Sequence, residues 1–157
     1  MRSRLIKRWL IAILILLTVI GLILGTLWAT NALGWRRWRI QEAQAFIGAN
    51  LPAAATNVQF ATQDEHTRIL WLRFEIPADT DLESWVTSVA GNNALLENFT
   101  PFPQPNPQEA GLSWWTPQQA SVFSGLQRVT TTKMIEGLVD QSDPTRWVVY
   151  LRVYSLS

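Results

Sequence analysis

The distribution of hydrophobic and polar positions divides the chain into stretches of different period. From Trp9 to Gly34 no side chain is charged, and WLIAILILLTVIGLILGTLWA is almost wholly apolar. The run predicts a transmembrane helix over 9–34. At 1.5 Å per residue the steps from Trp9 to Trp28 cover about 28 Å, close to the ~30 Å hydrocarbon core of a bilayer. A lone segment satisfies its own backbone in lipid only as a helix. The rival is a cleaved signal peptide, whose apolar region is usually about 7–15 residues long. This run is longer, although Thr30-Asn31-Ala32 offers a small-residue cleavage site.

Beyond the run the period becomes helical. In RRWRIQEAQAFIGAN, Ile40, Ala43, Phe46 and Ile47 share one face, which predicts a juxtamembrane helix and linker over 35–51 that stops near Gly48–Pro52. The period then shortens to two. VQFAT (58–62) and RILWLRFEI (68–76) are strands around the polar turn QDEHT, with Leu70, Leu72, Phe74 and Ile76 on one side of the second. A helix follows. Thr80 and Glu83 form a capping box, Leu82, Trp85, Val86, Val89 and Ala90 make one apolar stripe, and Gly91 suits the stop. Residues 92–124 show no period, and PFPQPNP favours extended chain. Thr116 as N-cap and Pro117 at the first position predict two helical turns. LQRVTT, KMIEGLVD and RWVVYLRVYS complete the strands, the last two joined by the turn QSDPT. In the final strand Val149, Leu151 and Val153 face one way, and Tyr150, Arg152 and Tyr154 the other. The expected fold is α+β. A single N-terminal transmembrane helix precedes a small antiparallel domain (52–157) of about five strands, with one packed helix and a long Pro/Trp loop as further cover.

Charge changes the picture more than composition does. Residues 1–39 hold seven Lys/Arg and no acid, and the remainder holds six against twelve Asp/Glu, a net of −6. An acidic domain repels phosphate backbones, so no nucleic-acid partner is expected. The basic tail 1–8 and the acidic domain favour a cytoplasmic-membrane protein with its N-terminus inside and its domain outside. Four bases before the run against three after it make the positive-inside excess slight. Trp9, Trp28, Trp35, Arg36, Arg37, Trp38 and Arg39 sit where an interfacial belt belongs, with the lipid bilayer as partner. Gly21, Gly25 and Ala29 recur every fourth residue, spacing that lets a second helix, including one from another copy, approach closely.

Candidate chemistry is sparse. There is no cysteine and one histidine, His66. Asp79, Asp81 and Glu83 alternate as in a calcium loop, but Ser84 and Ala90 stand where that loop needs Gly and Glu, and helix capping explains the acids. Asp140 and Asp143 fit turn chemistry better than a catalytic pair. Nucleophile motifs and phosphate loops are missing, so no catalytic, cofactor or metal residues are expected and the chain reads as a non-enzyme. Asn98-Phe99-Thr100 is a glycosylation sequon only in a eukaryotic secretory setting. Phe99, Phe102, Trp114 and Trp115 fall in the long irregular stretch and form a candidate binding loop, against the plainer reading that they cover the sheet.

LPAAATNV, R-I-L-W-L-R-F, SWW-T-P and the ending LVD-Q-SDP-x-R-x-V-V-Y-L-R span roughly 51–152. They resemble a domain of uncharacterised small bacterial membrane-anchored proteins with an extracytoplasmic α+β domain. The resemblance implies a bacterial envelope protein and brings no site residues. The expectation is a single-pass, signal-anchored interaction protein, an accessory subunit of a larger membrane complex. The alternative is a tethered domain binding glycans or other envelope components through loop 99–115.

Overall fold

The computed structural model describes residues 18–22, 24–25, 39–64, 67–92, 94–102, 104 and 107–156. The chain divides into two compact units, Met1–Glu42 and Ala43–Ser157. In the first, residues 18–22 and 24–25 are helical. Among the described residues no helix is long and apolar enough to cross a membrane. This corrects the expectation of a single-pass transmembrane signal anchor. Trp9, Trp28, Ala29, Trp35, Arg36, Arg37 and Trp38 lie outside the described residues. The helix over 39–47 (α1) is unsuited to lipid for a physical reason: Arg39, Gln41, Glu42 and Gln44 place polar groups on it in every turn. It ends at Gly48, whose φ of +89° suits a residue without a Cβ.

The second unit is built on one six-stranded antiparallel sheet, not the five strands that periodicity suggests. The strands are β1 (Thr56–Gln63), β2 (Ile69–Pro77), β3 (Leu96–Glu97), β4 (Phe123–Val129), β5 (Lys133–Asp140) and β6 (Arg146–Ser155), in the order β1-β2-β6-β5-β4-β3. The unexpected strand, β3, is two residues paired with Ser124 and Gly125, too short to carry a period. Central β6 runs against β2 from Ile69↔Tyr154 to Pro77↔Arg146, and against β5 from Lys133↔Ser155 to Asp140↔Val148.

Because side chains alternate, each central strand has two faces. One buries Leu70, Leu72, Phe74, Ile76, Val149, Leu151 and Val153 beneath Ala43 and Ile47 of α1 and beneath the helix α2 (Leu82–Ala90). Trp85 anchors α2: its ring meets Phe74 edge-on at 5.1 Å, and its Nε1 donates to Asn50 O at 2.8 Å. The other face buries Ile69, Trp71, Leu138 and Tyr150 beneath Phe102 and Trp115. Both faces are therefore covered, one by helices and one by the described part of the irregular strap 98–120.

Two local details differ from the sequence reading. The N-cap of α2 is Asp81, not Thr80: Asp81 accepts from Ser84 N at 3.3 Å and from Ser84 Oγ at 2.6 Å. Thr116 makes no cap bond, and the turn after it is a single 3-10 turn, Pro117–Gln119. Its Oγ1 lies instead 3.2 Å from the Tyr150 hydroxyl, fastening the strap to β6.

Candidate functional site

The densest polar chemistry lies under the strap. Glu136 and Arg152 are direct cross-strand partners on β5 and β6 and both point to the strap face. Arg152 donates to Glu136 Oε2 through Nε at 2.8 Å and through Nη2 at 2.7 Å. Its Nη1 donates to Glu109, which the 3-10 turn Pro107–Glu109 lowers onto the sheet. Trp71 Nε1 donates to the same Glu109 oxygen at 3.2 Å, and Gln127 Nε2 donates to Glu136 Oε1 at 3.0 Å. The guanidinium stands 4.8 Å from the Phe102 ring centre and 5.2 Å from that of Tyr154. Side-chain exposure is 8% for Arg152, 4% for Glu109 and 5% for Glu136.

One cation thus lies between two carboxylates in a buried layer. Burial would lower the Arg152 pKa, but the facing Glu136 carboxylate raises it, so the charge is held. Burial pushes the Tyr154 phenol up to about 12, which keeps it protonated. Each of the three charged groups has hydrogen-bonded partners. Such a network acts as a clamp, since buried charge is tolerated when it is paired and bonded.

A second ion cluster marks the edge of the same face. Asn57 adopts φ +48° where the β1–β2 register shifts, and this aims its Nδ2 at Glu75 Oε2, 2.7 Å away. Arg73 meets Glu75 Oε1 at 2.7 Å, and Arg146 meets Oε2 at 3.1 Å. Burial would raise the Glu75 pKa, but the Asn57 and Arg73 hydrogen bonds lower it below the ordinary carboxylate value.

A groove of about 640 Å³ lies open beside α2. Leu82, Val86, Leu95 and Trp147 give it an apolar floor; Asp81, Glu83, Asn92 and Gln141 give it a polar rim. It lies at the sheet end where β2 and β5 finish and β6 begins. The turns there hold Asp79 and Asp143, and Asp140 ends β5. Asp140 accepts from Ser142 N at 2.9 Å and Asp143 from Thr145 N at 2.8 Å. Hydrogen bonds from Ser84 and Thr145 lower the Asp81 and Asp143 pKa values, keeping both ionised.

The expected site residues are dispersed. Phe102 and Trp115 are core, with 2% and 5% exposure, whereas Phe99 and Trp114 are half-buried. Trp115 contacts Phe102, Trp114 and Tyr150 edge-on at 5.3, 6.0 and 5.4 Å. The loop therefore serves first as the cover of a sheet face. Gly21 and Gly25 lie in the helical residues, where an added Cβ meets nothing within 4 Å. Arg39 is the first described residue of α1, and His66 lies outside the described residues. Among the described residues no group of three or more His, Asp or Glu could hold a metal ion. Sequence reasoning missed Glu109, Glu136 and the groove. Glu136 had a signal, a charge amid apolar KMIEGLVD; Glu109 had none, since no period exists around it.

Compared with protein-family models, with curated proteins and with solved structures, the chain matches none of them.

Proposed function

We propose that this chain is a membrane-associated interaction protein, an accessory subunit that acts by contact and carries no catalysis of its own. The observation that supports the reading most is the groove beside α2, an open depression with an apolar floor on a domain whose two sheet faces are both covered. Exposed concavities with apolar floors and polar rims are where partners dock. The buried charges of the strap face satisfy one another, which suits a rigid scaffold. The uncharged, apolar sequence Trp9–Gly34 between basic flanks supports association with lipid.

Native-size analysis of the full chain in mild detergent tests this. The expected species is larger than one copy, with a stoichiometric partner identified by mass spectrometry. Ala94→Trp, at an exposed position lining the groove, should reduce it to a single copy without lowering stability. A wild-type protein that is strictly monomeric and partner-free would defeat the reading.

A further inference from the structure

We propose that the occupant of this groove is a cationic peptide segment of another protein, with Lys or Arg side chains flanking an apolar or aromatic one. The inference rests on the interaction reading and adds the partner's chemistry. Its basis is charge complementarity around an apolar floor. Asp81 and Glu83 line the groove, its lining among the described residues includes no Lys or Arg, and Asp79 and Asp143 lie in the turns at the same end of the sheet. Asp81 and Asp143 are held ionised by their own turn hydrogen bonds. Arg146, bonded to Glu75, also acts on Asp143, and Arg128 lies against Gly91 beside Asn92, so the acidic end of the groove is the one formed by Asp81 and Glu83. A neutral apolar segment would leave these carboxylates facing low-dielectric material. A basic segment would meet them while its apolar side chain fills the floor between Leu95 and Trp147.

The test titrates full-length protein, in non-ionic detergent, with a dye-labelled peptide GWRRWRIQ. The peptide has this chemistry and copies residues 34–41. A second peptide has its three arginines replaced by glutamine. Saturable binding is expected, about tenfold weaker for the glutamine peptide and weakened by salt, as steering by exposed charge requires. Glu83→Lys should weaken it and Ala94→Trp abolish it, while Asp64→Lys, paired with Arg68 at the opposite sheet end, should not change it. Equal binding of both peptides, or binding indifferent to Glu83→Lys, overturns the cationic occupant. If Ala94→Trp still dissolves the native complex in that case, the docking reading survives. If neither peptide binds and Ala94→Trp leaves the native size unchanged, both fall.

Discussion

At the scale of single residues, Arg152 joins two strands and the strap through ion pairs and ring contacts. It is shared by Glu109 and Glu136, and both acids are nearly inaccessible to water. Removing it takes the counter-charge from two buried carboxylates, whereas removing Glu109 leaves Arg152 with Glu136. Arg152→Met should therefore destabilise the fold by about 3–5 kcal/mol, the usual cost of an uncompensated buried charge. Glu109→Gln, which keeps the shape and a polar head, should cost about 1–3 kcal/mol. Urea unfolding of the two variants checks the order, and equal losses would mean that the triad does not share one cation. Trp85 and Phe102 show the same economy of roles, each filling a core and fixing a neighbouring element.

At the scale of elements, α2 and β4 show how local sequence and contact divide the labour. Periodicity located α2, because apolar positions at three- and four-residue spacing have one physical outcome when a sheet face awaits them. The capping-box pattern points to Thr80, one residue before the true cap, because Thr80 and Asp81 are both good N-cap residues and only backbone geometry chooses between them. Asp81→Ala should cost about 0.5–2 kcal/mol. Thr80→Ala should stay within about 0.5 kcal/mol. Thermal melts of both variants would reverse this assignment if Thr80→Ala proved the more damaging. In β4, Gly125 admits the strap: a Cβ there would stand 2.2 Å from Phe99 O and 3.0 Å from Pro101 Cδ. Nothing in LQRVTT shows that requirement, so the strand begins at Phe123, before the stretch that its pattern marks.

At the scale of the whole molecule, stability should form a plateau bounded on both sides by titration. Glu75, Asp81 and Asp143 have folded-state pKa values below their ordinary 4.5, 3.8 and 3.8. The unfolded chain protonates first as pH falls, so their contribution is whole above the ordinary carboxylate range and is lost below it. Tyr154 has the opposite sign: its pKa rises from 10.0 to about 12, so its contribution is whole below pH 10 and is lost as pH climbs toward 12. Urea midpoints measured across this range should be flat in the middle and fall at both ends. Tyr154→Phe should remove much of the alkaline fall, and an unchanged alkaline limb would show that Tyr154 is not the group responsible.

The sequence by itself determined the pieces whose cause is local. The strands of the final hairpin, the apolar stripe of α2, a helix stop within 48–52 and the segregation of charge were all legible, because a period of two or 3.6 and a run of like charge need no distant partner to be seen. Only the tertiary structure decided what distant partners impose: a sixth strand of two residues, the burial of Phe102 and Trp115 against the sheet by a strap with no period, the joining of Glu109 to Arg152 and Trp71, and the groove between α2, Leu95 and Trp147. Each depends on which segments meet, and segments far apart in the chain meet only when burying their surfaces together outweighs the entropy of ordering the chain between them.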